Sequence, residues 1–202
     1  MGLDTPTRTI DARPSHITMP PMPDAVAAPS FAVADAMQLE GTLRVMGRRL
    51  HAEQSGPVAL VGLRRRGVPL AERLAVHLRE LGLAAPVGEL DLARYDDDLH
   101  VLHDEPRLRE VPLPFQVEGA HLVVIDDVLY TGRTLLTAAS HLLSRRARVV
   151  ECAVLCARGR PEVPVTAGTV GMRLDVPARL AIEVHVPPFE EDLGVWIRRV
   201  DG

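Results

Sequence analysis

The sequence predicts an α/β fold, a mainly parallel sheet flanked by helices, with a small hood of late strands. Two observations carry this. Short apolar runs alternate with stretches of helical period, and the runs are apolar at consecutive positions, as strands covered on both faces must be.

Of the 202 residues 47% are apolar, enough for one domain with a substantial core. Residues 1–30 contain Pro6, Pro14, Pro20, Pro21, Pro23 and Pro29, and that composition predicts a disordered tail before a folded domain spanning 31–202. Asp35 is placed to cap a helix running to about Gln54, with Met37, Leu39, Leu43, Met46 and Leu50 as its apolar stripe. Val58 to Leu63 reads as a strand. Pro69 is expected to open a helix with Leu70, Leu74, Leu78 and Leu81 on one face, ended by Gly82. Val87 to Tyr95 is the next strand, Leu122 to Ile125 the third, Thr134 to Leu143 a helix, and Val149 to Leu155 the fourth strand. Thr169 to Leu174, Leu180 to Val186 and Val195 to Val200 are expected to build the hood.

Composition narrows the function classes. Formal charge is −4 and the isoelectric point is near 6.1, so any contact with nucleic acid must come from a local patch. All 23 basic residues are arginine. Cys152 and Cys156 lack partners at zinc-site spacing and read as free thiols. No metal site is expected: His100, His103 and Asp104 read as solvated loop residues. His77 and His185 read as surface or core residues, and Trp196 as core packing. No run reaches the ~18 apolar residues needed to span a bilayer, and no secretory signal is visible, which predicts a cytoplasmic protein.

The sharpest motif runs from Leu122 to Thr134: an apolar strand, the pair Asp126 and Asp127, then Val128, Leu129, Tyr130, Thr131, Gly132, Arg133 and Thr134 opening a helix. Ligands of open parallel sheets bind beyond the carboxyl ends of the strands. Adjacent carboxylates can accept hydrogen bonds from a ribose diol. A Thr and Gly turn at a helix N-terminus offers hydroxyls and N–H groups to a phosphate. After the first strand, Arg64, Arg65, Arg66 and Gly67 form a short loop whose guanidinium and N–H groups suit a second polyanion.

The Asp126 to Thr134 run resembles the 5-phosphoribosyl 1-diphosphate (PRPP) motif of type I phosphoribosyltransferases, in particular the form found in the PyrR family of uracil phosphoribosyltransferases that also regulate pyrimidine operons. Gly88-Glu89-Leu90-Asp91, with Tyr95 and Asp97-Asp98-Leu99, is similar to that family too. The resemblance extends from about Phe31 to Val200. It implies transfer from PRPP to uracil, with Asp126, Asp127 and Arg66 catalytic and Arg65, Arg66 and residues Asp126 to Thr134 holding PRPP. It places Arg158 at the base or nucleotide pocket and Asp96 to Pro114 in a mobile loop. It further implies Mg2+ carried mainly by PRPP, UMP or UTP as nucleotide ligands, a homodimer or higher oligomer, and leader mRNA bound through Arg44, Arg158, Arg160 and Arg173.

Departures from the family pattern are equally specific. Asp96 replaces an arginine, with Arg94 two residues away. The family's Asp-Arg-Gly-His-Arg becomes Ala157-Arg158-Gly159-Arg160-Pro161. Gly47 replaces a histidine and Met172 a lysine. Because the PRPP motif does not read the base, a transferase for a purine or orotate stays open from sequence, as does a chiefly non-catalytic nucleotide sensor.

Overall fold

A computed structural model describes residues 30–93, 107–109, 112–177 and 179–199. Residues 1–29 of the expected tail lie outside these, as do Arg94, Tyr95, Asp96, His100, His103, Asp104 and most of the 96–114 stretch. In chain order the elements are β1 (Ser30–Ala34), α1 (Ala36–Glu53), β2 (Ala59–Leu63), α2 (Gly67–Glu80), β3 (Val87–Ala93), β4 (Arg107–Arg109), β5 (His121–Leu129), α3 (Arg133–Ser144), β6 (Val149–Ala157), β7 (Thr169–Arg173), β8 (Leu180–His185) and β9 (Gly194–Arg199).

The main sheet has the order β4-β3-β2-β5-β6-β7, parallel throughout except for the antiparallel edge strand β4. β5 sits at its centre, between β2 and β6. Its residues Leu122, Val123, Val124 and Ile125 are all buried because both faces of the sheet are covered. Successive side chains divide between two cores. Leu60, Val123 and Ile125 pack with the apolar stripes of α1 and α2, whereas Val61, Val124 and Val154 pack with Leu135, Ala138 and Leu142 of α3. A second antiparallel sheet, β1-β9-β8, forms the hood and joins the first core through Ala34, Val184, Val186 and Val195.

Several boundaries moved for identifiable reasons. Asp35 caps α1 as expected and does so reciprocally with Gln38, in a capping box. Pro69 is the third residue of α2, not the first; throughout the opening turn a backbone N–H has no helical partner, so proline is tolerated there. Gly82 follows the helix at φ +87°, where a left-handed residue is favoured. β7, expected in the hood, pairs in parallel with β6 and closes the main sheet. Its place in the hood is taken by β1, a short alanine-containing segment whose partner β9 lies at the far end of the chain. β4 falls in the stretch read as loop. Trp196 is partly exposed and lies against His185 with ring centroids 4.1 Å apart, so it packs on the hood, not in the core. His77 is buried between Glu40 and Glu80. Both cysteines are free and buried in β6, and burial pushes their thiols up to about 11 and about 12. Among the described residues no helix is long and apolar enough to cross a membrane.

Candidate active site

The carboxyl ends of β2 and β5 meet at one edge of the main sheet, and the candidate residues gather there. β5 continues to Leu129, so the acidic pair lies inside the strand rather than beyond it. Both carboxylates are fixed by backbone: Asp127 N donates to Asp126 Oδ1 at 3.0 Å and Val128 N to Asp127 Oδ1 at 2.8 Å.

A cavity of about 220 Å³ opens beside Asp126, lined further by Val128, Leu129, Tyr130, Thr131, Gly132, Thr134 and Leu135. Seven of the nine residues from Asp126 to Thr134 therefore surround one space, and Asp127 and Arg133 stand outside its lining. Gly132 takes φ +83° as the N-terminal flank of α3, and no side chain caps that helix. Arg133 N donates weakly to Thr131 Oγ1 at 3.4 Å, and the following N–H groups are available to an anion, with the helix dipole behind them. Arg133 stands outside the lining, 3.5 Å from Glu162.

The connection after β6 grips the turn from outside. Arg158 N donates to Leu129 O and Glu162 N to Thr131 O, both at 2.9 Å. The Arg158 guanidinium lies 4.4 Å from the centre of the Tyr130 ring and also donates to Pro177 O. Arg158 thus reaches the cavity through Tyr130 rather than lining it.

The three loop arginines have different neighbours. Arg64 is drawn back to β3, 3.4 Å from Glu89 and 3.1 Å from Asp91, which gives the Gly88 to Asp91 motif a structural task. Arg66 binds Glu190 of the hood and stands 3.8 Å from Asp127. Arg65 is exposed and has no ion pair among the described residues. Gly67 holds this loop against β5, because a Cβ there would collide with the Ile125 carbonyl oxygen. Sequence reasoning did not find Glu190, and no local signal marks it: it lies 124 residues from Arg66.

Burial, reinforced by the neighbouring Asp127 charge, holds Asp126 well above the usual carboxylate range. Burial also raises Asp127, against the opposing effects of Arg66 and of a hydrogen bond from Asp126. Burial opposes the charge on Arg66, but Glu190 and Asp127 more than offset it and raise its pKa.

Arg44 is exposed on α1, Arg160 on the connection after β6, and Arg173 at the end of β7. α1 packs over β7, since a Cβ at Gly171 would meet Met46 Sδ at 2.8 Å and Thr42 Cγ2 at 2.9 Å. Arg173 pairs in register with Ala157, next to Arg158. No group of three metal-ligating side chains occurs among the described residues.

The chain matches the phosphoribosyl transferase domain over residues 33–188. It is 36% identical to the bifunctional protein PyrR of Pelotomaculum thermopropionicum over 176 residues, covering 84% of this chain and 91% of the relative. The chain belongs to the PyrR family. The PyrR protein of Chloroflexus aurantiacus is 44% identical over 67% of this chain and 74% of its own length. Among solved structures, a hypoxanthine phosphoribosyltransferase from Trypanosoma cruzi superposes with a TM-score of 0.68 at 15% identity, over 85% of this chain and 96% of that one. A hypoxanthine-guanine phosphoribosyltransferase from Bacillus anthracis gives 0.65, over 84% and 97%. These structures share the fold. At Gly47 a Cβ would lie 3.0 Å from His77 Cβ, so a side chain there requires a small local shift between α1 and α2.

Proposed function

We propose that this protein transfers the phosphoribosyl group of PRPP to N1 of uracil, giving UMP and diphosphate, and that it also binds a pyrimidine-operon leader RNA. The observation that carries the transferase reading is a cavity lined both by the Asp126 carboxyl and by the N-terminal turn of α3. The turn from Thr131 to Thr134 would hold the 5-phosphate and the acidic pair the ribose diol. Transfer breaks the bond from C1 of the ribose to diphosphate, forms the bond to N1, and releases the N1 proton. The departing diphosphate is basic enough to take that proton, so the step balances without a protein base. Asp127, beside Asp126 in the strand, would add negative charge near the ribose, where positive charge develops.

The donor set fits a divalent cation that arrives with its substrate, because among the described residues neither Asp126 nor Asp127 belongs to a larger ligand cluster. Bound Mg2+ would neutralise diphosphate oxygens. Arg65 is the loop cation free to meet the same group. Arg65→Ala is expected to raise the KM for PRPP about 10-fold or more, the scale of one charged hydrogen bond, without lowering the melting temperature. Steady-state kinetics with a thermal melt checks both.

Assaying UMP formation from uracil and PRPP, with hypoxanthine, guanine and orotate as controls, tests the reaction. Transfer confined to another base would replace uracil as acceptor. The RNA reading is supported by family membership and by the exposed arginines on α1, β7 and the connection after β6. Leader-hairpin affinity is expected to fall steeply as salt rises. Replacing Arg44 and Arg160 with alanine should weaken it further and leave PRPP binding intact. Equal weak binding to leader and scrambled RNA, unaffected by UMP, would remove the regulatory role.

A further inference from the structure

We propose that Glu190, in the hood between β8 and β9, is an internal anion that occupies Arg66 and that a diphosphate group must displace in order to bind. The proposal rests on the phosphoribosyl reading above. Arg66 Nε lies 3.1 Å from Glu190 Oε1, and Nη2 donates to the same oxygen, so one edge of the guanidinium is filled. Its remaining nitrogen, Nη1, faces Asp127 at 3.8 Å. Carboxylates therefore stand on both sides of the cation closest to the acidic pair.

Glu190 is held in this position rather than swinging freely. Its second oxygen accepts the Val186 N–H at 2.9 Å, at the end of β8. Its side chain is only 19% exposed and that of Arg66 36%, so solvent does not fully screen the pair. The hydrogen bond from Arg66 and the Val186 N–H hold the Glu190 carboxyl below its ordinary value, even though burial acts in the opposite direction. It remains an anion at neutral pH.

A planar guanidinium donates in fixed directions, so an edge engaged by a carboxylate cannot also grip a phosphate oxygen. A diphosphate approaching Asp127 from the loop must exchange with Glu190. Such an exchange lowers affinity for PRPP and for product diphosphate alike, and it favours product release. It also loosens the tie between hood and loop only while ligand is bound. Glu190 acts through Arg66 and is a positioning residue.

The test is inorganic diphosphate binding by calorimetry together with the KM for PRPP, in Glu190→Gln, Arg66→Ala and the double variant. Glutamine keeps an oxygen for the Val186 N–H but removes the competing charge. Diphosphate is expected to bind Glu190→Gln about fivefold more tightly, a modest effect because the pair is part-exposed. The KM for PRPP should fall in parallel, with kcat no higher. The gain should vanish in the double variant. Weaker diphosphate binding in Glu190→Gln would overturn the proposal by showing that Glu190 presents Arg66 to the ligand. Unchanged affinity with a lower melting temperature would reduce Glu190 to a tether and also overturn it, as would a gain that survives without Arg66. If the unaltered protein bound neither diphosphate nor PRPP, the phosphoribosyl reading itself would fail, and this proposal with it.

Discussion

Replacing Asp126 and Asp127 together with asparagine is expected to reduce transfer by on the order of 10²-fold or more while raising the melting temperature of the free protein at neutral pH. The two effects have one cause. Both carboxyls are buried beside one another, and both titrate above their ordinary values. In the unfolded chain they titrate near pH 4. Between that value and the raised folded value the native state binds more protons than the unfolded state, so stability falls as pH rises through the window. Their favourable contribution is complete below the unfolded value and is lost above the folded one. Asparagine carries no charge and escapes that loss. Its side-chain oxygen can still accept from Asp127 N and Val128 N, so the strand geometry is kept. Thermal melts from about pH 4 to about pH 8 should show the variant's advantage growing with pH. A constant difference across that range, or a double variant with unaltered PRPP affinity, would count against the assignment of this pair.

The turn from Thr131 to Thr134 is legible in the sequence because everything that shapes it is local: one buried strand, one turn and the first residues of one helix. The division of the arginines is not. Arg64, Arg65 and Arg66 are identical in type and adjacent, and only the fold assigns Arg64 to Asp91, 27 residues away, and Arg66 to Glu190, 124 residues away. β1 escaped notice for the same reason, since Ser30–Ala34 becomes a strand only by pairing with β9. β7 reads as a strand from its sequence but not as a member of the main sheet, because a strand's sequence records its burial and not its neighbour. The closeness of Gly47 to His77 is likewise visible only in the fold. The apolar strands and helices required no such information, as their period records burial directly.

Gly132→Ala is expected to have the other large effect, acting on the turn without changing a charge. At φ +83° an alanine costs about 1–2 kcal/mol relative to glycine. The added Cβ would lie 2.5 Å from Val165 Cγ1, 3.1 Å from Val163 Cγ2 and 3.2 Å from Pro161 Cβ, all on the connection after β6. Relieving such a contact costs a further 1–3 kcal/mol by the usual scale of overpacking, about the same again. The melting temperature should therefore fall by roughly 5–15 °C at about 2–4 °C per kcal/mol for a chain of this size. The turn and the connection after β6 are hydrogen-bonded to each other, so the collision moves the turn as well. Its displacement should raise the KM for PRPP by about 10-fold or more, since phosphate contacts depend on N–H groups placed to within a fraction of an ångström. Val165→Ala in the Gly132→Ala background removes the closest contact but not the backbone strain, so it should restore part of the stability and part of the PRPP affinity. If Gly132→Ala melts like the unaltered protein and binds PRPP normally, the connection after β6 does not buttress this turn, and the proposed phosphate contact there fails.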